Sequence, residues 1–264
     1  MKKKTVGTVP ISRLPDGGTG EGTIPGNEKR TIAAGAGETS ASIPASEELS
    51  PSERAQAVVR ELKKKYPRAD CSLSYEGEPW RLLVMGRLSA QCTDARVNQV
   101  CEQLFARYPT PEALASGELS DIEAIVRPCG LYRTKAVQIQ EECRMLTEKW
   151  GGRLPDTMDE LLQFPGVGRK IANLLLGDIY HKPAIVADTH CIRICGRIGF
   201  YPEALKDPEK VEKILAAWVE PAEQSDLCHR LVLFGREICS ARAPACSRCP
   251  IRSLCRHGSE TDTR

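Results

Sequence analysis

Residues 161–173 read Leu-Leu-Gln-Phe-Pro-Gly-Val-Gly-Arg-Lys-Ile-Ala-Asn, a glycine turn that opens a helix with a basic pair in its first turn. Pro165 stops the apolar segment before it, and Gly166 and Gly168 allow positive φ and a close approach of backbone to a partner. The free N–H groups of the helix beginning at Arg169, at the positive end of its dipole, form an anion site. Two phosphate loops are excluded on spacing. A Walker loop needs four residues between its first glycine and Gly-Lys-Ser/Thr, and a dinucleotide loop needs a third glycine where Ile171 stands. What remains is a helix-hairpin-helix or an ordinary turn between helices. The helix-hairpin-helix grips a nucleic-acid backbone through main-chain N–H groups such as those of Gly166, Val167, Gly168 and Arg169, and reads no sequence.

Lys170 adds a chemistry to that grip. A lysine is a nucleophile only as the free amine, and both the positive end of a helix and the neighbouring Arg169 disfavour its ammonium form. An activated amine beside a backbone clamp suits imine formation on a sugar carbon. As a plain ammonium, Lys170 would contact phosphate as a point charge. Eighteen residues on, Ile185-Val186-Ala187-Asp188-Thr189-His190 places a carboxylate after a short apolar run and ahead of the periodic Ile192, Ile194 and Ile198. Asp188 can cap that helix. It can also lie half-buried facing Lys170, as a base or as the counter-charge of a developing sugar cation. His190 reads as a structural histidine beside it.

A third signal stands near the C-terminus. Cys239, Cys246, Cys249 and Cys255 are spaced C-x6-C-x2-C-x5-C, and four thiolates on one small loop make a closed, soft metal site. Disulfides are the weaker reading, because no signal peptide is present and a 264-residue chain needs no staples to hold its core. Zinc competes on ligand type, although zinc modules more often pair two C-x2-C hooks and only one is present.

These groups have to be held by elements, and the pattern from Ser52 onward is helical almost throughout. Segments at 80–90, 94–107, 111–116, 119–127, 133–150 and 157–163 repeat the 3.6-residue period between Gly or Pro stops, with no train of alternating strands. The fold class predicted is all-α. Residues 1–50 hold no aromatic residue and no cysteine, and their six basic and six acidic residues cancel, which predicts a disordered tail; 259–264 is expected to be a disordered C-terminus. The formal net charge of +2 excludes nothing, since a DNA binder of this charge only has to gather its basic residues on one face. Apolar runs such as Leu174 to Leu176 are too short to cross a membrane. Twelve cysteines without an export signal predict a reducing cytoplasm; the eight outside the C-terminal motif read as buried free thiols.

Together the motifs resemble the endonuclease III family of DNA glycosylases. The resemblance spans about 53 to 258 and rests on Leu88-Ser89-Ala90-Gln91-Cys92-Thr93-Asp94, Gly130-Leu131-Tyr132, Phe164 to Lys170, Ala187-Asp188-Thr189-His190 and the four cysteines. It implies two helical lobes with a DNA cleft between them. One is a six-helix barrel over 72–182 that ends in the hairpin; the other joins a first helix at about 52–71 to 183–258, with the cluster loop. It implies that Lys170 and Asp188 are catalytic on opposite walls of the cleft, and that the four cysteines hold one 4Fe-4S cluster rather than zinc. Gln91 and Leu131 match the positions that enter the base stack; the plainer readings are a surface glutamine and a core leucine. The activity implied is that of a bifunctional glycosylase and lyase, acting as a monomer on duplex DNA that carries oxidised pyrimidines or abasic sites. The alternative is a non-catalytic DNA-binding or redox-sensing iron-sulfur protein, which would have no need of both Lys170 and Asp188. Three departures from the family pattern stand out: Ile171 where a threonine is usual, Cys92 where a smaller or hydroxyl residue is common, and a loop Ser240–Ala245 whose one charge is Arg242. That loop is expected to contact phosphate through Arg242, but weakly.

Overall fold

The computed structural model describes residues 49–260, which form helices and turns with no strand among them. Residues 1–48 and 261–264, on which most of the disordered-tail expectations fall, lie outside the described residues. Ser259 departs from that expectation, because it belongs to the last helical turn, α12 (Arg256–Glu260), with its N–H and hydroxyl both donated to the Cys255 carbonyl.

Helix α1 (Pro51–Lys65) starts where Ser50 accepts the Glu53 N–H and Glu53 returns a bond to the Ser50 N–H, a reciprocal cap. It was expected to run over 52–71 but stops at Lys65. Tyr66 precedes Pro67, whose ring disfavours the helical conformation in the residue before it.

One apolar core is built by α2 (Pro79–Leu88), α3 (Asp94–Arg107), α4 (Pro111–Ala115), α5 (Leu119–Val126), α6 (Tyr132–Trp150), α7 (Met158–Leu161) and α8 (Arg169–Asp178). Thr93, Thr110 and Thr157 cap three of these helices through their hydroxyls, each contributing about 1 kcal/mol. Leu82, Leu83, Val97, Leu104, Ile122, Ile139 and Leu146 are fully buried between them, and α6 packs on α2, α4 and α5.

A second core gathers α1 with α9 (Thr189–Ile198), α10 (Pro208–Trp218) and α11 (Gln224–Glu237). Ala55, Val58 and Leu62 of α1 bury here against the far end of the chain. Arg230 of α11 fastens that junction. It is buried, donates to the Tyr66 carbonyl at 3.2 Å, and pairs with Asp226 at 2.7 Å and Glu223 at 3.2 Å. Helix α8 touches both cores: Leu174 packs against each, and a Cβ at Gly177 would come within 2.4 Å of the Ser225 hydroxyl on α11. Among the described residues no helix is long and apolar enough to cross a membrane.

Candidate active site

The hairpin is built on Phe164, which is buried, and turns at Gly166 with φ +78°. A Cβ at Gly166 would lie 2.7 Å from Nε of Arg87, which itself donates to Gln138 Oε1 at 2.5 Å. Glycine is therefore favoured at 166 by conformation, and any side chain there would have to displace Arg87. Gly168 is different. Its φ is −101°, open to any residue, and a Cβ there would meet nothing within 4 Å, so it leaves bare surface rather than a special turn. Val167 also departs from its expected part as a backbone donor. Its N–H already goes to the Phe164 carbonyl at 3.1 Å and its side chain is buried. The N–H groups of Gly166 and Gly168 meet no acceptor among the described residues, and both glycines are exposed.

Arg169 is the cation expected beside Lys170. Its guanidinium instead grips Glu212 of α10 with both ends, Nε to Oε2 at 3.0 Å and Nη2 to Oε1, and this pairing holds its charge firmly on. The positive end of α8, which has no side-chain cap, remains to act on Lys170.

Lys170 is exposed and lines a cavity that opens between the two cores. Gly86, Ser89, Asp94 and Ile171 line it from the first core's elements, and Val186, Asp188, Cys228 and His229 from the second's. Asp188 is half-buried, and its Oδ1 accepts the Cys191 N–H at 2.7 Å. The two readings of Asp188 are thus compatible in space: it caps α9 and faces the same cavity as Lys170. Ile171, one of the departures noted in the sequence, packs its Cγ2 against Gly86, where an added Cβ would be 3.1 Å away.

His190 is packed against α11, where a Cβ at Gly235 would fall 2.2 Å from its Nδ1. Burial lowers its pKa, Asp188 opposes that shift, and Arg193, with Nη2 3.2 Å from Nδ1, reinforces it. Two lining groups were missed in the sequence. Asp94 accepts from Arg236 Nη2 at 2.7 Å, and His229 holds Nε2 2.7 Å from Asp178 Oδ1. Asp94 sat inside a quoted motif, but no local signal marks His229, whose partner lies 51 residues earlier.

Gln91 and Leu131 lie at the ends of two short connections, after α2 and before α6. Both are exposed and both hold left-handed backbone, φ 54° and 49°. Leu131 is 58% exposed, which removes the reading of an ordinary core leucine. Non-glycine residues adopt this conformation rarely, and such strain gathers at functional sites.

The four C-terminal cysteines line one apolar cavity with Ile194, Ile198, Phe234, Ile238 and Ile251. Arg197 secures its rim, donating to the Ser240 and Ala241 carbonyls at 2.7 Å and to Cys239 Sγ at 3.4 Å. Burial pushes the Cys249 thiol up to about 11, and raises that of Cys255. No three Cys, His, Asp or Glu side chains among the described residues converge as closely as a single metal ion requires. Arg242 is exposed on the loop between the first two cysteines, and Ala243 beside it is exposed as well.

A helical fold carrying a glycine hairpin above a lysine-lined cavity defines a class of protein, and residues 84–221 match that class, the HhH-GPD superfamily of base excision DNA repair proteins. Endonuclease III of Bacillus subtilis is 42% identical over 200 residues, 75% of this chain and 90% of the relative. That of Escherichia coli is 36% identical over 206 residues, 78% and 96% of the two chains. Among solved structures, a non-covalent endonuclease III–DNA complex superposes with TM-score 0.76 at 39% identity, covering 81% of this chain and 99% of that one. A trapped covalent endonuclease III–DNA intermediate gives 0.75 at 40% identity, with 80% and 98% covered. The chain belongs to the endonuclease III family, base excision repair DNA glycosylases with AP lyase activity.

Proposed function

We propose that Lys170 is the nucleophile and Asp188 its carboxylate partner in removing oxidised pyrimidines from duplex DNA, followed by cleavage of the strand. One observation carries this reading: the two side chains come from different cores to line one cavity beside the hairpin. A base inside a duplex is out of reach, so the damaged nucleotide is extruded first, at a cost of about a few kcal/mol that is least for a poorly stacked base. Gln91 and Leu131, one polar and one apolar, fill the gap. The Lys170 amine attacks C1′, the base leaves on the electron pair of its glycosidic bond, and the opened sugar is held as an imine. The imine withdraws electrons from the adjacent C–H, a base removes that proton, and the 3′ phosphate departs by β-elimination. Asp188 takes the proton from the attacking amine or balances the positive charge growing on the sugar. The covalent endonuclease III–DNA intermediate supports this route by likeness.

The test is incubation with duplex DNA containing thymine glycol in the presence of borohydride, which reduces the imine to a stable link. A covalent adduct is expected. Tight binding with neither adduct nor strand cleavage would favour a protein that only binds DNA. We further take the protein to act as a monomer on chromosomal DNA in the cytoplasm.

The donor set of the second cavity fits a 4Fe-4S cluster. All four thiols line one apolar space, and four thiolate donors held in an apolar shell are the ligand set such a cluster takes. Cys239, Cys246, Cys249 and Cys255 would hold the cluster, which would supply a rigid anchor for the loop. No step of the sugar chemistry uses it. Cys249→Ala is expected to remove the brown colour of the purified protein and loosen the C-terminal loop to proteolysis. A colourless wild type containing one zinc per chain would overturn this assignment.

Arg242 is proposed as the loop's phosphate contact. Its single charge makes that contact weak, so Ala243→Lys should tighten binding about equally on all sequences and steepen log K against log salt by about 1. Arg242→Ala should flatten it by a similar amount. Salt slopes equal to wild type in both variants would mean that the loop does not touch DNA.

A further inference from the structure

Lys135 is fully buried in the first core, and its ammonium meets no carboxylate among the described residues. All three of its N–H bonds go to main-chain carbonyls: Leu88 at 2.8 Å, Ala90 at 2.7 Å and Cys129 at 2.8 Å. An ammonium has three donors, so none is left over. The position is a poor one for a cation on local grounds. It lies in the first turns of α6, at the positive end of that helix, and burial lowers its pKa. Helix stability therefore does not account for a lysine here. Its three acceptors do.

Leu88 and Ala90 belong to the connection that presents Gln91, and Cys129 to the one that presents Leu131. Leu88 ends α2 and Cys129 ends the 3-10 helix Arg127–Cys129, so two of the carbonyls are helix-terminal groups that lack partners of their own. One nitrogen thus joins two connections far apart in sequence, each carrying an exposed residue in left-handed backbone one or two residues from a bonded carbonyl.

We infer that Lys135 is a positioning residue that clips the Gln91 and Leu131 connections together and fixes their spacing for entry into the base stack. This rests on the proposed stack-filling part of those two residues. Without the clip, both connections are free to relax from left-handed backbone, and the side chains lose their common aim. The chemistry at Lys170 is untouched, so the loss falls on opening the duplex.

The experiment compares a duplex bearing thymine glycol with a single-stranded oligonucleotide bearing one abasic site, where no stack has to be opened. Lys135→Met keeps the length of the side chain and removes the donors. It should lower kcat/KM on the duplex by about 100-fold, the scale of a small misplacement of binding groups. Cleavage of the single strand should stay within about twofold of wild type, since its reacting groups are intact. Equal losses on both substrates, or no loss on either, overturn the clip. In a Gln91→Ala/Leu131→Ala background, Lys135→Met should add little, because residues acting as a unit are not additive. Full additivity there overturns the clip while leaving the stack-filling part standing. Wild-type duplex activity in the Gln91→Ala/Leu131→Ala protein overturns both. If Lys135→Met fails to fold, Lys135→Arg serves: its planar fork cannot aim at three carbonyls around one point, and about a tenfold loss confined to the duplex is expected. An equal loss on both substrates overturns the clip again.

Discussion

Lys170→Ala is expected to abolish borohydride trapping and to lower strand cleavage by about four orders of magnitude or more, the scale on which loss of a nucleophile acts. The fold should not notice. Lys170 is exposed in the first turn of α8, where alanine is a good helix former and surface changes stay within about 0.5 kcal/mol. Binding to DNA should persist as well, because the proposed grip lies in the Gly166 and Gly168 N–H groups and the free end of α8, all of which are main chain. The competing reading, in which Lys170 is a point charge on phosphate, gives a different pattern. Trapping would then survive, affinity would fall on every sequence, and the slope of log K against log salt would drop by about 1. Measuring adduct yield and salt slope on the same protein separates the two.

The parts legible in the sequence were those carried by near neighbours. Thr93, Thr110 and Thr157 cap helices whose limits the Gly and Pro stops had already marked, and the C-x6-C-x2-C-x5-C spacing brings four thiols to one cavity. The end of α1 was also written locally, in Tyr66-Pro67, and an expectation of helix to 71 overlooked it. What stayed hidden depends on partners distant along the chain. Arg169 looks like a free cation until Glu212, 43 residues later, takes its guanidinium. Lys135 reads as one more polar position on α6, and only the folded chain brings the Leu88 and Ala90 carbonyls to its nitrogen. His229 is equally silent before Asp178 is seen beside it. Val167 shows a subtler limit. A turn motif identifies which residues lie near a ligand, but not which N–H groups the turn itself has already used.

Asp188 has two jobs available, and one substitution divides them. Asparagine caps a helix as well as aspartate does, so Asp188→Asn should keep the bond from the Cys191 N–H at the start of α9, and its unfolding temperature should match wild type. The amide can neither accept a proton from the Lys170 amine nor balance positive charge on the sugar. Turnover should therefore fall by about 100-fold to 10,000-fold, the range that a positioned acid or base contributes. Asp188→Ala removes the cap too, and should lose about 1 kcal/mol of stability beyond the asparagine variant, with a similar loss of rate. The difference in stability between the two variants measures the cap, and the shared loss of rate measures the carboxylate. Wild-type turnover in Asp188→Asn would leave Asp188 as a helix cap alone, and the proton from Lys170 would then need another acceptor among the groups that line the cavity, where Asp94 is the other carboxylate and His229 the imidazole.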